Sequence, residues 1–229
     1  MSEKESSPKT SVMQHIEAAL YVLNQLCIGF VTIWVSWTCL RKGLSCSRLH
    51  AWLVTFGFIF LMAEGMMCFY DGSWLTLRYT RKYKKAIHVV LQVIGGGMGV
   101  AGCLIQLIRD KWSIGVTTHA SLGFAAFVLC LISMLSGLAA LLARAMSRAV
   151  SPLITKTFHV TLSFAAYVIA MMAQYYGYER TFIFKNQGAD FVILMRVATL
   201  VSMVLTSIGA IKSLYHKVLS LKSRLSAVQ

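Results

Sequence analysis

An all-α membrane protein of six transmembrane helices is the fold class this sequence predicts, on three observations. The chain is 57% hydrophobic and only 13% charged, a balance foreign to soluble globules and usual for polytopic membrane proteins. Its apolar residues gather into six runs of about 20, the length that crosses a hydrocarbon core as a helix. Its lysines and arginines fall between those runs, where they set topology. At 229 residues the chain is one domain of ordinary size.

Taken in order, a polar tail over residues 1–18 carries Glu3, Glu5 and Glu17. It is followed by an apolar run too long for a signal-peptide core, so no cleavable signal is expected. The first helix is predicted at about Ala19–Leu40, with a short loop Arg41–Leu49 after it. The second is predicted over His50–Tyr70, and the loop Asp71–Lys85 behind it is the most basic in the chain. The third runs over Ala86–Ile108. The loop Arg109–Thr118 then offers Trp112 as an interfacial anchor. The fourth covers His119–Leu142, and Ser151-Pro152 marks the break before the next helix. The fifth spans Lys156–Tyr176, with Tyr175, Tyr176 and Tyr178 at its interfacial end. The sixth spans Phe191–Ile211. The six-helix domain is thus residues 19–215, between tails 1–18 and 216–229.

Short loops make neighbouring helices antiparallel, so the N-terminus, the 71–85 and 143–157 loops and the C-terminal tail share one side. That side holds fourteen lysines and arginines against seven on the other, which predicts that both termini are cytoplasmic. The net charge of +14 therefore reads as topology and not as a nucleic-acid surface. The surrounding partner is the lipid bilayer.

Four of the helices have a histidine at or near their start: His50, His88, His119 and His159. At about 100° per residue, positions i+4, i+7, i+11, i+14 and i+18 share a stripe with position i. From His119 the stripe is Gly123, Ala126, Cys130, Ser133, Gly137, and from His159 it is Ser163, Ala166, Ala170, Ala173, Gly177. From His88 it is Gln92, Gly95, Gly99, Gly102, Gln106, and from His50 it is Val54, Gly57, Leu61, Glu64, Cys68. Small residues let membrane helices approach closely, and they also leave room for a flat macrocycle. Antiparallel order puts His50 with His119 at one depth and His88 with His159 at the other, most of a ~30 Å hydrocarbon core apart. That arrangement excludes one four-histidine metal site. Two imidazoles alone make a poor zinc site, but they complete the axial coordination of a haem, and iron closed on both faces is suited to electron transfer. Intramembrane histidines are costly and functional by default.

The local sequences then meet a family. Arg48-Leu-His50-Ala-Trp-Leu running on to Leu61-Met-Ala-Glu64, His88-Val-Val-Leu-Gln92, Thr118-His119-Ala-Ser-Leu-Gly123 and Phe158-His159 resemble the cytochrome b561 family, especially its shorter transmembrane reductases. The resemblance covers about residues 19–215. It implies a four-helix core of the second to fifth helices around two haem b groups per chain. His50 and His119 would hold the non-cytoplasmic haem, and His88 and His159 the cytoplasmic one. It also implies ascorbate as cytoplasmic donor, with monodehydroascorbate or ferric iron as acceptor on the lumenal or extracellular side. Three features depart from the family pattern. Ala51 stands where Pro is frequent, Ser163 stands where Gly is usual, and the arginine-rich motif of the longer, ascorbate-specialised members is absent. The expected location is an endomembrane (endoplasmic reticulum or vesicle) ahead of the plasma membrane, and a homodimer is among the expected assemblies. The rival readings are a haem-free transporter that passes metal ions or protons along the histidines, and a non-catalytic membrane scaffold.

Other residues are candidates for the chemistry. Lys84 lies four residues before His88, and Lys156 three before His159, each about one turn toward the cytoplasm. With Arg81, Lys85 and Arg148 they form a candidate patch for haem propionates or for ascorbate. Glu64, a carboxylate inside a helix, is a candidate partner for a ligand imidazole or a proton acceptor. Arg196 is expected to snorkel to the interface or to meet a propionate. His15 and His216 are expected to be solvated. Cys27, Cys68, Cys103 and Cys130 read as packing residues. Cys39 and Cys46 flank one loop, which permits a disulfide if that loop faces an oxidising compartment.

Overall fold

The computed structural model of the chain describes residues 8–41, 43–70, 72–73, 76, 78–145, 147–148, 150–180 and 188–226. Glu3, Lys4, Glu5, Lys42 and Lys185 lie outside them. Six helices are long and apolar enough to cross a membrane, and no strand occurs among the described residues. They are α1 (Pro8–Arg41), α2 (Cys46–Met67), α3 (Arg81–Arg109), α4 (Thr118–Leu142), α5 (Pro152–Arg180) and α6 (Ala189–Ser226). α2 packs on α3, α3 on α4, α4 on α5 and α5 back on α2, which closes a four-helix ring. α1 and α6 pack on each other and against the α2 and α5 side of that ring. Leu26, Ile33, Leu135 and Val204 are exposed on the outside, where lipid is the solvent.

Local chemistry sets the helix starts. The Thr117 hydroxyl accepts the Ala120 N–H at 3.1 Å and caps α4, which places His119 in its first turn. Pro152 opens α5, where a missing N–H costs nothing. α3 begins at Arg81, earlier than the expected Ala86, so Arg81, Lys84 and Lys85 stand on helical turns. The terminal helices outrun the expected spans, because nothing in their sequences breaks a helix where the apolar run stops. α1 starts at Pro8, within the expected tail. α6 has 38 residues, about 57 Å at the rise of an α-helix, so its last turns stand clear of the hydrocarbon core.

α2 departs from the expected geometry. Its middle, Thr55–Met62, is wound as a π-helix, which places more residues in each turn than an α-helix. A stripe drawn from His50 at α-helical phase therefore fails beyond Val54. Val54, Phe58 and Met62 turn toward Cys103, Ala126 and Cys130, while Ala51, Ile59 and Ala63 join the cluster built with α1, α5 and α6. Glu64, next after Ala63, consequently leaves the His50 stripe and comes to lie beside Gln25 of α1.

Of the two purposes expected of the small residues on the His88 stripe, Gly95 and Gly99 serve the close approach of helices. A Cβ at Gly57 would lie 2.5 Å from the Gly95 carbonyl oxygen and 2.9 Å from the Gly99 nitrogen, and one at Gly99 would lie 2.4 Å from the Phe58 ring. Backbone meets backbone at this crossing, so Gly95 and Gly99 seat α2 and leave no room there for a macrocycle. The cysteines are all free thiols, Cys39 buried and Cys46 exposed.

Candidate functional site

The four histidines stand as two pairs. In the first, His50 Nδ1 lies 2.9 Å from the Gly102 carbonyl oxygen, and His119 Nδ1 lies 2.8 Å from that of Ala173. A carbonyl only accepts, so each Nδ1 carries the hydrogen and each Nε2 keeps its lone pair. The ring centroids are 6.2 Å apart with planes at 75°. Two imidazoles sharing one metal through Nε2, each about 2 Å from it, have centroids roughly 6 Å apart, so this pair fits a shared axial metal. The rings open on a cleft whose walls include Val54, Phe58, Cys103, Gly123 and Ala126. The His119 and His159 stripes do face this cleft, through Gly123 and Ala126 of the first and Ala170 and Ala173 of the second. Gly177 makes room for the His119 ring, since a Cβ there would lie 3.0 Å from His119 Cε1.

The second pair is anchored in the same way on other helices. His88 Nδ1 donates to the Gly65 carbonyl oxygen at 2.8 Å, and its ring stands 5.2 Å from that of Phe69. His159 Nδ1 lies 3.1 Å from Ser136 Oγ and 3.2 Å from Ser163 Oγ. Ser136 spends its own hydrogen on the Ser133 carbonyl at 2.8 Å, so it meets His159 as an acceptor. Gly137 clears the His159 ring, because a Cβ would come within 3.0 Å of His159 Cε1. His88 and His159 are close enough to interact electrostatically. Among the described residues no three or more of His, Cys, Asp and Glu converge to hold a metal ion.

The cationic candidates separate. Arg81 and Lys156 each stand within electrostatic reach of Lys217 of α6, which in turn reaches His159. Lys84 faces the end of α2, near Cys68. Lys85 and Arg148 are exposed. Arg196 is engaged by the Glu179 carboxylate and lies 4.8 Å over the Tyr175 ring, an arrangement specified by neither of its expected roles. His15 and His216 are exposed. Sequence reasoning missed Lys217, which sits beyond the last apolar run among other tail charges. It also missed the carbonyl anchors of Gly65, Gly102 and Ala173, which no side chain advertises.

Fold and site together define a polytopic membrane protein whose core helices present paired imidazoles, each fixed at Nδ1 and free at Nε2. The sequence model of eukaryotic cytochrome b561 matches residues 49–185, more than half of the chain, and the chain belongs to that family. It is accordingly a transmembrane oxidoreductase that moves electrons by means of haem b. No curated protein and no solved structure matches the chain significantly.

Proposed function

We propose that the chain carries two haem b groups, one between His50 and His119 and one between His88 and His159, and that it works as an ascorbate-dependent transmembrane reductase. The observation that carries this reading is the shared chemistry of the four imidazoles. Each has its Nδ1 within hydrogen-bond distance of an acceptor on a neighbouring turn or helix. That bond fixes the tautomer, orients the ring and raises the basicity of Nε2. When bound, the haems supply the one-electron chemistry. The chain holds the rings in place, keeps water out of the cleft with Val54, Phe58 and Ala126, and spaces the two pairs along the core.

Electrons enter from cytoplasmic ascorbate beside the His88 and His159 pair, where Arg81, Lys156 and Lys217 attract anions. They leave to monodehydroascorbate or ferric iron beyond His50 and His119. Both termini are cytoplasmic, residues 19–215 are the electron-transfer unit, and the membrane is an endomembrane. The test is the absorption spectrum of the purified chain with a haem count. A reducible b-type spectrum with two haems per chain is expected. Alanine at His88 or His159 should remove one haem and spare the other, and equal loss of both after each change would overturn the pairing. A colourless folded protein would overturn the reading altogether and leave the histidine-lined transporter.

A further inference from the structure

A second polar assembly lies apart from the histidine cleft, where α1, α2, α5 and α6 meet. Asn24, fully buried, donates from Nδ2 to Thr206 Oγ1 at 3.0 Å. Tyr167 and Ser202 are each 1% exposed, and Tyr167 stands beside Thr206 and Ser202. Glu64 brings a carboxylate to this group, with Gln25 at its side. None of these neighbours completes the set. Asn24 Oδ1, Gln25 Nε2, Glu64 Oε1, Tyr167 Oη and Ser202 Oγ are buried and make no well-formed hydrogen bond to the protein, although Gln25 stands within hydrogen-bonding range of Glu64, and Thr206 and Ser202 of Tyr167. Native interiors leave only a few such atoms scattered through a domain, and a membrane interior offers less relief than most. Polar atoms gathered in this way are suited to internal water and to a mobile proton.

Position links this assembly to the second histidine pair. Glu64 immediately precedes Gly65, whose carbonyl holds His88 Nδ1 at 2.8 Å. Polar groups also lead outward to the face that carries the N-terminus. Tyr21, within electrostatic reach of Glu64, stands beside Ser73. Tyr70 Oη lies 3.4 Å from the Glu17 carbonyl oxygen. Glu17 Oε1 accepts from Lys212 Nζ at 3.1 Å. The titratable groups facing Glu64 are Tyr21 from α1, Cys68 on its own helix and Tyr167 from α5. α6 brings the hydroxyls of Ser202 and Thr206 to Tyr167. From α3, Lys84 reaches as far as Cys68, and His88 meets the Gly65 carbonyl.

We infer that Glu64 is a proton-loading site coupled to electron arrival at the His88 and His159 pair, an inference that rests on the two-haem reading above. As one electron from the donor takes ferric iron to ferrous, Glu64 takes one proton through Tyr21 from the face bearing the N-terminus. Its carboxylate becomes a carboxylic acid. The added electron and the added proton cancel, so the low-dielectric interior gains no net charge. When the electron moves on, Glu64 returns the proton.

The test uses the full chain with both haems, titrated spectroelectrochemically across neutral pH, with redox-difference infrared spectra in parallel. In the wild type the potential of the haem on His88 and His159 falls by about 59 mV for each tenfold fall in proton activity. A carboxylic-acid stretch appears on reduction and shifts when glutamate is labelled with ¹³C. In Glu64→Gln the potential becomes nearly independent of pH and the stretch is lost. A pH-independent potential in the wild type, an unchanged slope in Glu64→Gln, or no labelled band in the wild type overturns the inference. Where Glu64→Gln fails to assemble, the labelled wild-type spectrum and Glu64→Asp, which should move the band without removing it, decide the matter. A chain that binds no haem sinks the parent reading. A two-haem chain with neither slope nor band sinks this one alone.

Discussion

Ser136 Oγ gives its hydrogen to the Ser133 carbonyl and accepts the Nδ1 hydrogen of His159 at 3.1 Å. Ser163 Oγ offers a second acceptor at 3.2 Å. The Ser133 carbonyl acts on His159 as well, but His159 is the one ring of the four whose anchors include side chains, so mutation reaches part of its anchor directly. A donated Nδ1 hydrogen makes the opposite nitrogen more basic and favours ferric iron. Replacing both serines by alanine should raise the potential of the haem proposed for this pair. One hydrogen bond of about 1 kcal/mol corresponds to roughly 40 mV for a single electron. A redox titration by visible absorbance checks this, with either single alanine giving the smaller shift because one acceptor remains. No shift in the double variant would mean that the serines do not act on the ligand.

Much of the fold and part of the site are legible in the sequence, and the failures have physical causes. Apolar runs and intervening charges suffice to place six spans, because the bilayer demands length and apolarity and little else. The depth of each histidine follows from its place at a helix start, and the structure sets His50 opposite His119 as antiparallel order requires. Angular position is harder to read. Thr55–Met62 is a uniformly apolar run with nothing to mark π winding, and that winding carries Glu64 from the His50 stripe to the α1 side. Gly95 and Gly99 look the same in sequence whether they face a macrocycle or another backbone, and only the packing of Gly57 decides. Lys217 could not be singled out, because its role depends on α6 continuing past the last apolar residue to reach Arg81 and Lys156.

The α2–α3 crossing should be the most sensitive point of the core. A methyl at Gly57 would meet the Gly95 carbonyl at 2.5 Å and the Gly99 nitrogen at 2.9 Å. Both are main-chain atoms that cannot rotate away. Gly57→Ala should cost about 3 kcal/mol or more and lower the yield of monodisperse protein. A methyl at Gly97 would have nothing within 4 Å of it, so Gly97→Ala should be neutral or gain up to about 1 kcal/mol in helix propensity. Thermal melting followed by size-exclusion retention separates the two, and equal behaviour would show that the crossing is looser than described.

Two glycines should report on the histidine pairs separately. A methyl at Gly177 would lie 3.0 Å from His119 Cε1, and one at Gly137 would lie 3.0 Å from His159 Cε1. Each neighbour must give by a few tenths of an ångström, at a cost of about 1–2 kcal/mol. Gly177→Ala should disturb the low-spin paramagnetic resonance signal of the haem proposed on His50 and His119, and Gly137→Ala that of the haem proposed on the other pair. Crossed effects, or identical effects on both signals, would contradict the assignment of these glycines.

Lys217 should matter for the donor and not for the haem. It is half-buried, its Nζ bonds to Ser213 Oγ, and it completes a group of three cations with Arg81 and Lys156. On the proposed function, an anionic donor approaching His159 would meet all three. Lys217→Ala should raise the KM for ascorbate about fivefold, equivalent to ~1 kcal/mol for one partly exposed charge, with kcat and the haem spectrum little changed. Lys217→Arg should restore most of the affinity. Because the attraction is electrostatic, the gap between wild type and Lys217→Ala should narrow as salt rises toward about 1 M, where the screening length is only about 3 Å. A fall in kcat at constant KM, or a gap that salt leaves untouched, would assign Lys217 to the packing of α6 against the core and remove it from the donor site.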